Sequence, residues 1–258
     1  MKFYLFLVVI IIGTSSCYHV YYAPNNANIP LLSHKGEAKI NGLYSTGWNS
    51  EFNGGELQLV YAATDHVGVM INGFAAGKSG MVSDIELMSD FGPSPGGQIE
   101  KGYGSYFEFA GGYFNSLRNK KLIVEIYGGY GFGRVNNEYG PSQLTQTNIS
   151  KFFIQPSIGY KTKKIEFAFT ERFGVMSWKF SDSYLYAQDP DLYRFKIAPL
   201  YVLEPGFIVR AGFPNIKLQL SMTRSGILNA NYFSDEIERM NFGAGVSVNF
   251  DILKKKGM

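Results

Sequence analysis

The sequence predicts an all-β fold: an up-and-down antiparallel transmembrane β-barrel of about ten strands (8–12), preceded by a lipoprotein signal peptide. Three observations predict it. Apolar and polar residues alternate along strand-length segments; connections between segments alternate between short and long; and charged residues stay off the apolar face. The stretch GELQLVYAATDHVGVMINGFAAG (55–77) shows the first most clearly. Leu57, Leu59, Tyr61 and Ala63 alternate with Gln58, Val60 and Ala62, and beyond Thr64-Asp65-His66 the apolar face resumes with Val67, Val69 and Ile71. Two period-two runs joined by three polar residues read as a β-hairpin. A large apolar face opposite a small, polar one suits a barrel wall in lipid, whereas a soluble sandwich or lipocalin-like barrel would invert the two.

Composition agrees. Aromatics at 16%, thirty glycines and 17% charged residues describe strands and tight turns, and no Pro/Ser-rich linker or charge block divides the 258 residues. With 24 basic against 21 acidic residues there is no basic stripe, so nucleic acid is not expected as a partner.

The N-terminus reads as a targeting segment. Met1-Lys2 is followed by the apolar run FYLFLVVIII (3–12) and the small residues Gly13-Thr14-Ser15-Ser16. Ten apolar residues fall short of the roughly 20 that a spanning helix needs. Residues 1–16 are therefore expected to be a signal peptide. Cys17, the one cysteine of the chain, then resembles the acylated first residue of a mature lipoprotein, although Thr14 stands where such signals carry a large aliphatic residue. Residues 17–35 contain Pro24 and Pro30 and no periodicity, and are expected to be a lipidated, extended tether lying against the domain. The run APNNANIPLLSHKGE (23–37), with GGELQLVYAATDHVGVMINGF (54–74), resembles a group of uncharacterised Bacteroidota lipoproteins with an outer-membrane-type β-barrel domain. That resemblance implies a compartment, the outer membrane with an anchor at Cys17, and a fold, but no activity.

Residues 36–258 are expected to be the barrel. Alternation places strands at 36–46, 55–63, 67–77, 102–114, 122–135, 151–161, 165–178, 193–212, 216–224 and 239–251. Four connections are short: 64–66, 115–121, 162–164 and 213–215. The others, 47–54, 78–101, 136–150, 179–192 and 225–238, are mostly longer than ten residues. Such sorting marks a bacterial barrel with periplasmic turns and outer loops, both chain ends being on the turn side. Trp48 and Trp178 would be interfacial aromatics at outer strand ends. Glu171 breaks the pattern by pointing outward unless a bulge repairs the phase. Pro156, Pro199 and Pro205 inside strands call for bulges or early strand ends, and Glu204-Pro205-Gly206 could be a turn.

The inward face carries a predicted charge network of Glu108, Glu125, Glu166 and Glu204 against Arg172, Arg194, Lys196 and Arg210. Mutual pairing would plug a narrow lumen. Other motifs are weaker. YGGYGFG (127–133) sits in a strand pattern with no following helix to cradle phosphate, Asp182, Asp189 and Asp191 lack calcium-loop spacing, and Asn148-Ile149-Ser150 matches a glycosylation acceptor by pattern alone. No metal ligand set or cofactor is expected. The histidines, His19 and His34 in the tether and His66 in a turn, leave no imidazole base at the long-loop mouth; Glu108 and Glu125 remain a conceivable carboxylate pair. The expectation is a non-enzymatic barrel lipoprotein in contact with outer-membrane lipid. It would act in structure, adhesion or assembly through its outer loops or a protein partner, above all at 78–101. The alternative is a calyx for an apolar ligand, or a small pore.

Overall fold

The computed structural model describes residues 22–47, 52–79, 101–117, 121–139, 143–180, 199–229 and 238–253. The strands are β1 (Glu37–Gly47), β2 (Asn53–Ala62), β3 (Val67–Ser79), β4 (Lys101–Leu117), β5 (Leu122–Tyr139), β6 (Gln143–Lys161), β7 (Ile165–Phe180), β8 (Leu200–Gly212), β9 (Ile216–Arg224), β10 (Gly226–Ile227) and β11 (Met240–Asp251). Neighbours pair antiparallel in chain order from β1 to β9. β9 then pairs with β11, and β11 returns to β1 with Ile40 opposite Val248. The two-residue β10 prolongs β9 past Ser225 along β8. The wall is thus a closed ten-stranded antiparallel barrel with no free edge.

The faces fall as the alternation predicts. Leu218 is 70% exposed and Phe152 65%, and Phe109, Ile154, Phe169 and Leu220 share that outer surface. Gln58, Gln155, Glu166, Arg172 and Arg210 point inward and are fully buried. Tight turns close one end, as at Ala63–His66, where the Ala63 and Thr64 amides both donate to Val67 O.

Several expectations are corrected. The connection predicted over 136–150 shrinks because β5 and β6 keep pairing from Val135↔Thr147 to Tyr139↔Gln143. Apolar alternation ends there, but the backbone ladder does not need it. No turn forms at Glu204-Pro205-Gly206, which lies within β8. No bulge repairs Glu171 either. The β6–β7 register is unchanged between Ile154↔Phe173 and Ser157↔Thr170, so Glu171 stays on the outer side, opposite Pro205 of β8. The same register sets Glu171 beside Pro156, whose missing amide interrupts the ladder. The Thr170 hydroxyl donates to Pro156 O (2.7 Å), satisfying the acceptor that faces β7. Trp178 lies just before the end of β7 at Phe180, and it turns into the lumen, buried with Tyr22, Met176 and Leu200, instead of facing the membrane interface. Trp48 and Pro199's preceding residues 193–198 lie outside the described residues.

Two glycines of the YGGYGFG run show what that motif is for. A Cβ on Gly129 would lie 2.5 Å from Phe153 and one on Gly131 would overlap the Tyr106 ring, so both positions give inward aromatics their space. The run is wall, inside β5.

Candidate functional site

Among the described residues the chain gathers its polar chemistry in the lumen, and the centre of the lumen is the segment expected to be a tether. Residues 22–33 do not lie against the domain. They thread the barrel from end to end as an extended strand without a sheet. Tyr22 sits at the long-loop mouth, where its carbonyl accepts from the Glu238 amide (2.8 Å) and its ring packs among Phe74, Tyr106, Ile149 and Trp178. Ser33 sits at the short-turn mouth, its amide donating to Glu37 (2.9 Å). Gly36, at φ 84°, makes the reversal into β1, a conformation that favours glycine.

A backbone taken out of water must find partners. Here the wall supplies them from side chains. The Asn26 amide donates to both Glu56 oxygens (3.1 Å each), the Ala27 amide to Thr223 (3.0 Å), and the Leu31 and Leu32 amides to the two oxygens of Glu125 (3.0 and 2.9 Å). The plug carbonyls are met by donors. Asn241 reaches Pro24 O (2.6 Å), Gln58 reaches Asn26 O (3.0 Å), Gln155 reaches Asn28 O (2.8 Å), Arg210 reaches Ile29 O (3.0 Å) and Lys161 reaches Leu31 O (2.9 Å). The asparagine side chains add a second set. Asn25 bridges Glu108 (2.7 Å) and Arg172 (3.1 Å), Asn26 reaches Ser45 and Glu56, and Asn28 donates to Asn72 (2.7 Å). The apolar residues of the segment occupy dry pockets: Ala27, Ile29 and Leu31 against Ile123, Ala168 and Ile208, and Leu32 against Met70, Phe114 and Phe153. Burying each of the three larger aliphatics contributes about 1.5–3 kcal/mol. Leu31 holds a left-handed φ of 52°, a strain tolerated because its amide, carbonyl and side chain are each fixed.

Of the residues expected in the charge network, Glu108, Glu166, Glu204, Arg172 and Arg210 are ion-paired, but not as four acids against four bases. Near the long-loop end Arg172 bridges Glu108 (3.1 Å) and Glu204 (3.4 Å), and Lys151 contacts the same two carboxylates (3.4 and 2.9 Å). The Tyr22 hydroxyl donates to Glu204 (2.6 Å) and accepts from Lys151 (2.8 Å), tying the plug to this cluster. Nearer the short turns Glu166 takes Lys39 (3.1 Å), Arg210 (3.0 Å) and Lys217 (2.9 Å). Lys161 pairs with Glu37 at the short-turn mouth. Glu125, by contrast, has no cation within salt-bridge distance among the described residues; its carboxyl oxygens accept from plug amides, and the same holds for Glu56. Arg194 and Lys196 lie outside the described residues. Lys39, Lys151 and Glu56 were missed by the sequence network although each occupies an inward register position.

Glu108 and Glu125 are not brought together: Glu108 is held in the Arg172–Lys151 cluster and Glu125 by the Leu31 and Leu32 amides. His34 lies at the short-turn mouth, 3.3 Å from Asp251, and His66 stacks on Tyr113 in a turn. His19 lies outside the described residues. Asp182, Asp189 and Asp191 are also outside the described residues; among those described, no cluster of His, Cys, Asp and Glu could hold a metal.

No family model matches the chain, and no curated protein matches it. Solved structures with some likeness are outer-membrane proteins. The outer membrane protease OmpT from Escherichia coli shares 12% identity at TM-score 0.45, covering 85% of this chain and 99% of that one. The beta domain of the Bordetella autotransporter BrkA shares 12% at TM-score 0.37, covering 85% and 100%. The OmpT of Vibrio cholerae shares 14% at TM-score 0.32, covering 90% and 71%.

Proposed function

We propose that the protein is an outer-membrane β-barrel lipoprotein, acylated at Cys17, that is not an enzyme. It serves a structural, adhesive or assembly role through its long loops, with 78–101 the favoured contact for a protein partner. The observation that carries this reading is the occupied lumen: residues 22–33 fill the axis, and their backbone is bonded by side chains of seven of the ten wall strands. A calyx needs an apolar interior and room for a guest. This interior is lined by Lys, Arg, Glu and Asn, and the cavity beside Tyr22 holds about 30 Å³, room for a water or two. An open pore needs the axis that the segment occupies.

The apolar outer belt supports insertion in lipid, and the lipobox-like end of the leader at Cys17 supports acylation. In planar bilayers the purified full-length protein should show no large, steady conductance, and mass spectrometry of its N-terminus should find acyl chains on Cys17. Porin-like conductance would sink the closed-barrel reading, and an unmodified Cys17 would remove the anchor.

A further inference from the structure

We propose that the chain leaves the lumen at the long-loop mouth, so that everything before Tyr22, Cys17 and any lipid on it included, is held on the same side of the membrane as the long loops. The inference rests on the membrane-spanning reading above and goes beyond it, because strand count alone puts both ends of the barrel domain with the short turns. β1 starts and β11 ends there, and Gly36 O accepts from the Ile252 amide across them. The residues before β1 reverse that sidedness. Lys35 N donates to Asp65 in the β2–β3 turn (3.0 Å) and His34 reaches Asp251, fixing one end of the plug among the turns. Tyr22 O accepts from Glu238, just before β11 begins at the opposite mouth, fixing the other.

Chain length then forbids a return. Five residue steps separate Tyr22 from Cys17, and at about 3.3–3.6 Å each they span at most about 18 Å. The apolar band of such a barrel is about 25 Å tall. The lumen itself is taken by residues 22–33, so neither an inside nor an outside path brings Cys17 back to the turn side. Acyl chains on Cys17 would therefore enter the leaflet at the long-loop mouth, and the loops and the lipidated N-terminus would form one continuous face.

The test places a short epitope between His19 and Val20 of the full chain, and control epitopes within 78–101 and within the 162–164 turn, in intact and permeabilised cells. The N-terminal epitope should match the loop epitope, bound in intact cells, while the turn epitope gains at least tenfold on permeabilisation. An N-terminal epitope that follows the turn epitope overturns the sidedness and leaves the membrane reading standing. Loop and turn epitopes that behave alike overturn the membrane reading and the sidedness with it. Threading is checked separately by Ala27→Cys with Gly206→Cys. A Cβ at position 206 would lie 2.9 Å from that of Ala27, so a small shift reaches the roughly 3.5–4.5 Å of a disulfide. Oxidation should give an internal crosslink resolved on a non-reducing gel, and failure to form one in folded protein overturns the threading.

Discussion

The plug is held by two carboxylates that bind its backbone rather than a cation, which makes them the place to loosen it. Glu125→Ala strips the acceptors from the Leu31 and Leu32 amides, and Glu56→Ala strips them from the Asn26 amide and the Asn26, Ser45 and Gln58 side chains. A buried donor left without a partner costs about 1–3 kcal/mol. Two orphaned amides at the Glu125 site therefore weaken seating by about 2–6 kcal/mol, a shift of roughly 30-fold to 10⁴-fold in the ratio of seated to unseated plug at 1.4 kcal/mol per decade. The barrel's own ladder is untouched, since Glu125 contributes only its side chain to the interior, so the heat-dependent gel mobility of a folded barrel should survive. Single-channel recording is the assay. Wild type should be silent, Glu125→Ala should open in brief steps, and the double variant should open more often than either. If deletion of residues 22–33 conducts while Glu56→Ala/Glu125→Ala stays as silent as wild type, the clamp account is wrong. If the deletion is itself silent in folded protein, side chains or loops close the barrel and the plug does not.

Three further outcomes are expected. Phe169→Arg, on the outer face between Ile158 and Phe207, should cost about 2–4 kcal/mol near the midplane and lower the yield of membrane-inserted protein well below that of Asn249→Arg; equal yields would mean the faces are misassigned. Arg172→Ala leaves Glu108 and Glu204 with Lys151 alone and should lower stability to denaturant by about 3–5 kcal/mol, most of it restored in Arg172→Met/Glu108→Gln if uncompensated charge is the cause. Glu171→Leu, on the outer side between two prolines, should keep or raise insertion yield, whereas a loss would point to a partner for that carboxylate.

The wall was readable because alternation reports what each strand shows to its two sides. Leu57, Val69, Phe152 and Leu218 lie outward and Gln58, Glu108, Arg172 and Arg210 inward, as their phase predicts. Lys39 was equally readable, since Glu37, Lys39 and Asn41 form one inward row. So was Lys151, the first residue of the strand predicted at 151–161 and in phase with inward Gln155, although the ladder itself starts earlier, at Gln143. The plug was unreadable by the same method. Its backbone pairs with side chains and not with a neighbouring strand, so no periodicity is imposed on it, and Pro24 and Pro30 suggest an extended tether lying against the domain. The available signal was its cargo: Ile29, Leu31 and Leu32 have no reason to be in a solvated tether, and three asparagines within four residues offer bonds in both directions.

Barrel size explains why a chain, and not side chains alone, closes this lumen. An interior of eight strands is already filled by side chains, and two more strands widen it by enough for one extended backbone. That backbone brings amides and carbonyls with it, and the wall must meet them at the positions where they fall. It does so with Glu56 and Glu125 where amides point, and with Gln58, Gln155, Arg210 and Lys161 where carbonyls point. A slip of one residue would carry the Asn26, Leu31 and Leu32 amides off these carboxylates and leave buried polar groups unpaired. The ion clusters of Glu166 and of Glu108 with Glu204 reinforce this by fixing the donors themselves, because Arg210 serves Glu166 and Ile29 O at once. The lumen is therefore matched to one segment in one register, and that match fixes which end of the segment, Tyr22 or Ser33, lies at which mouth.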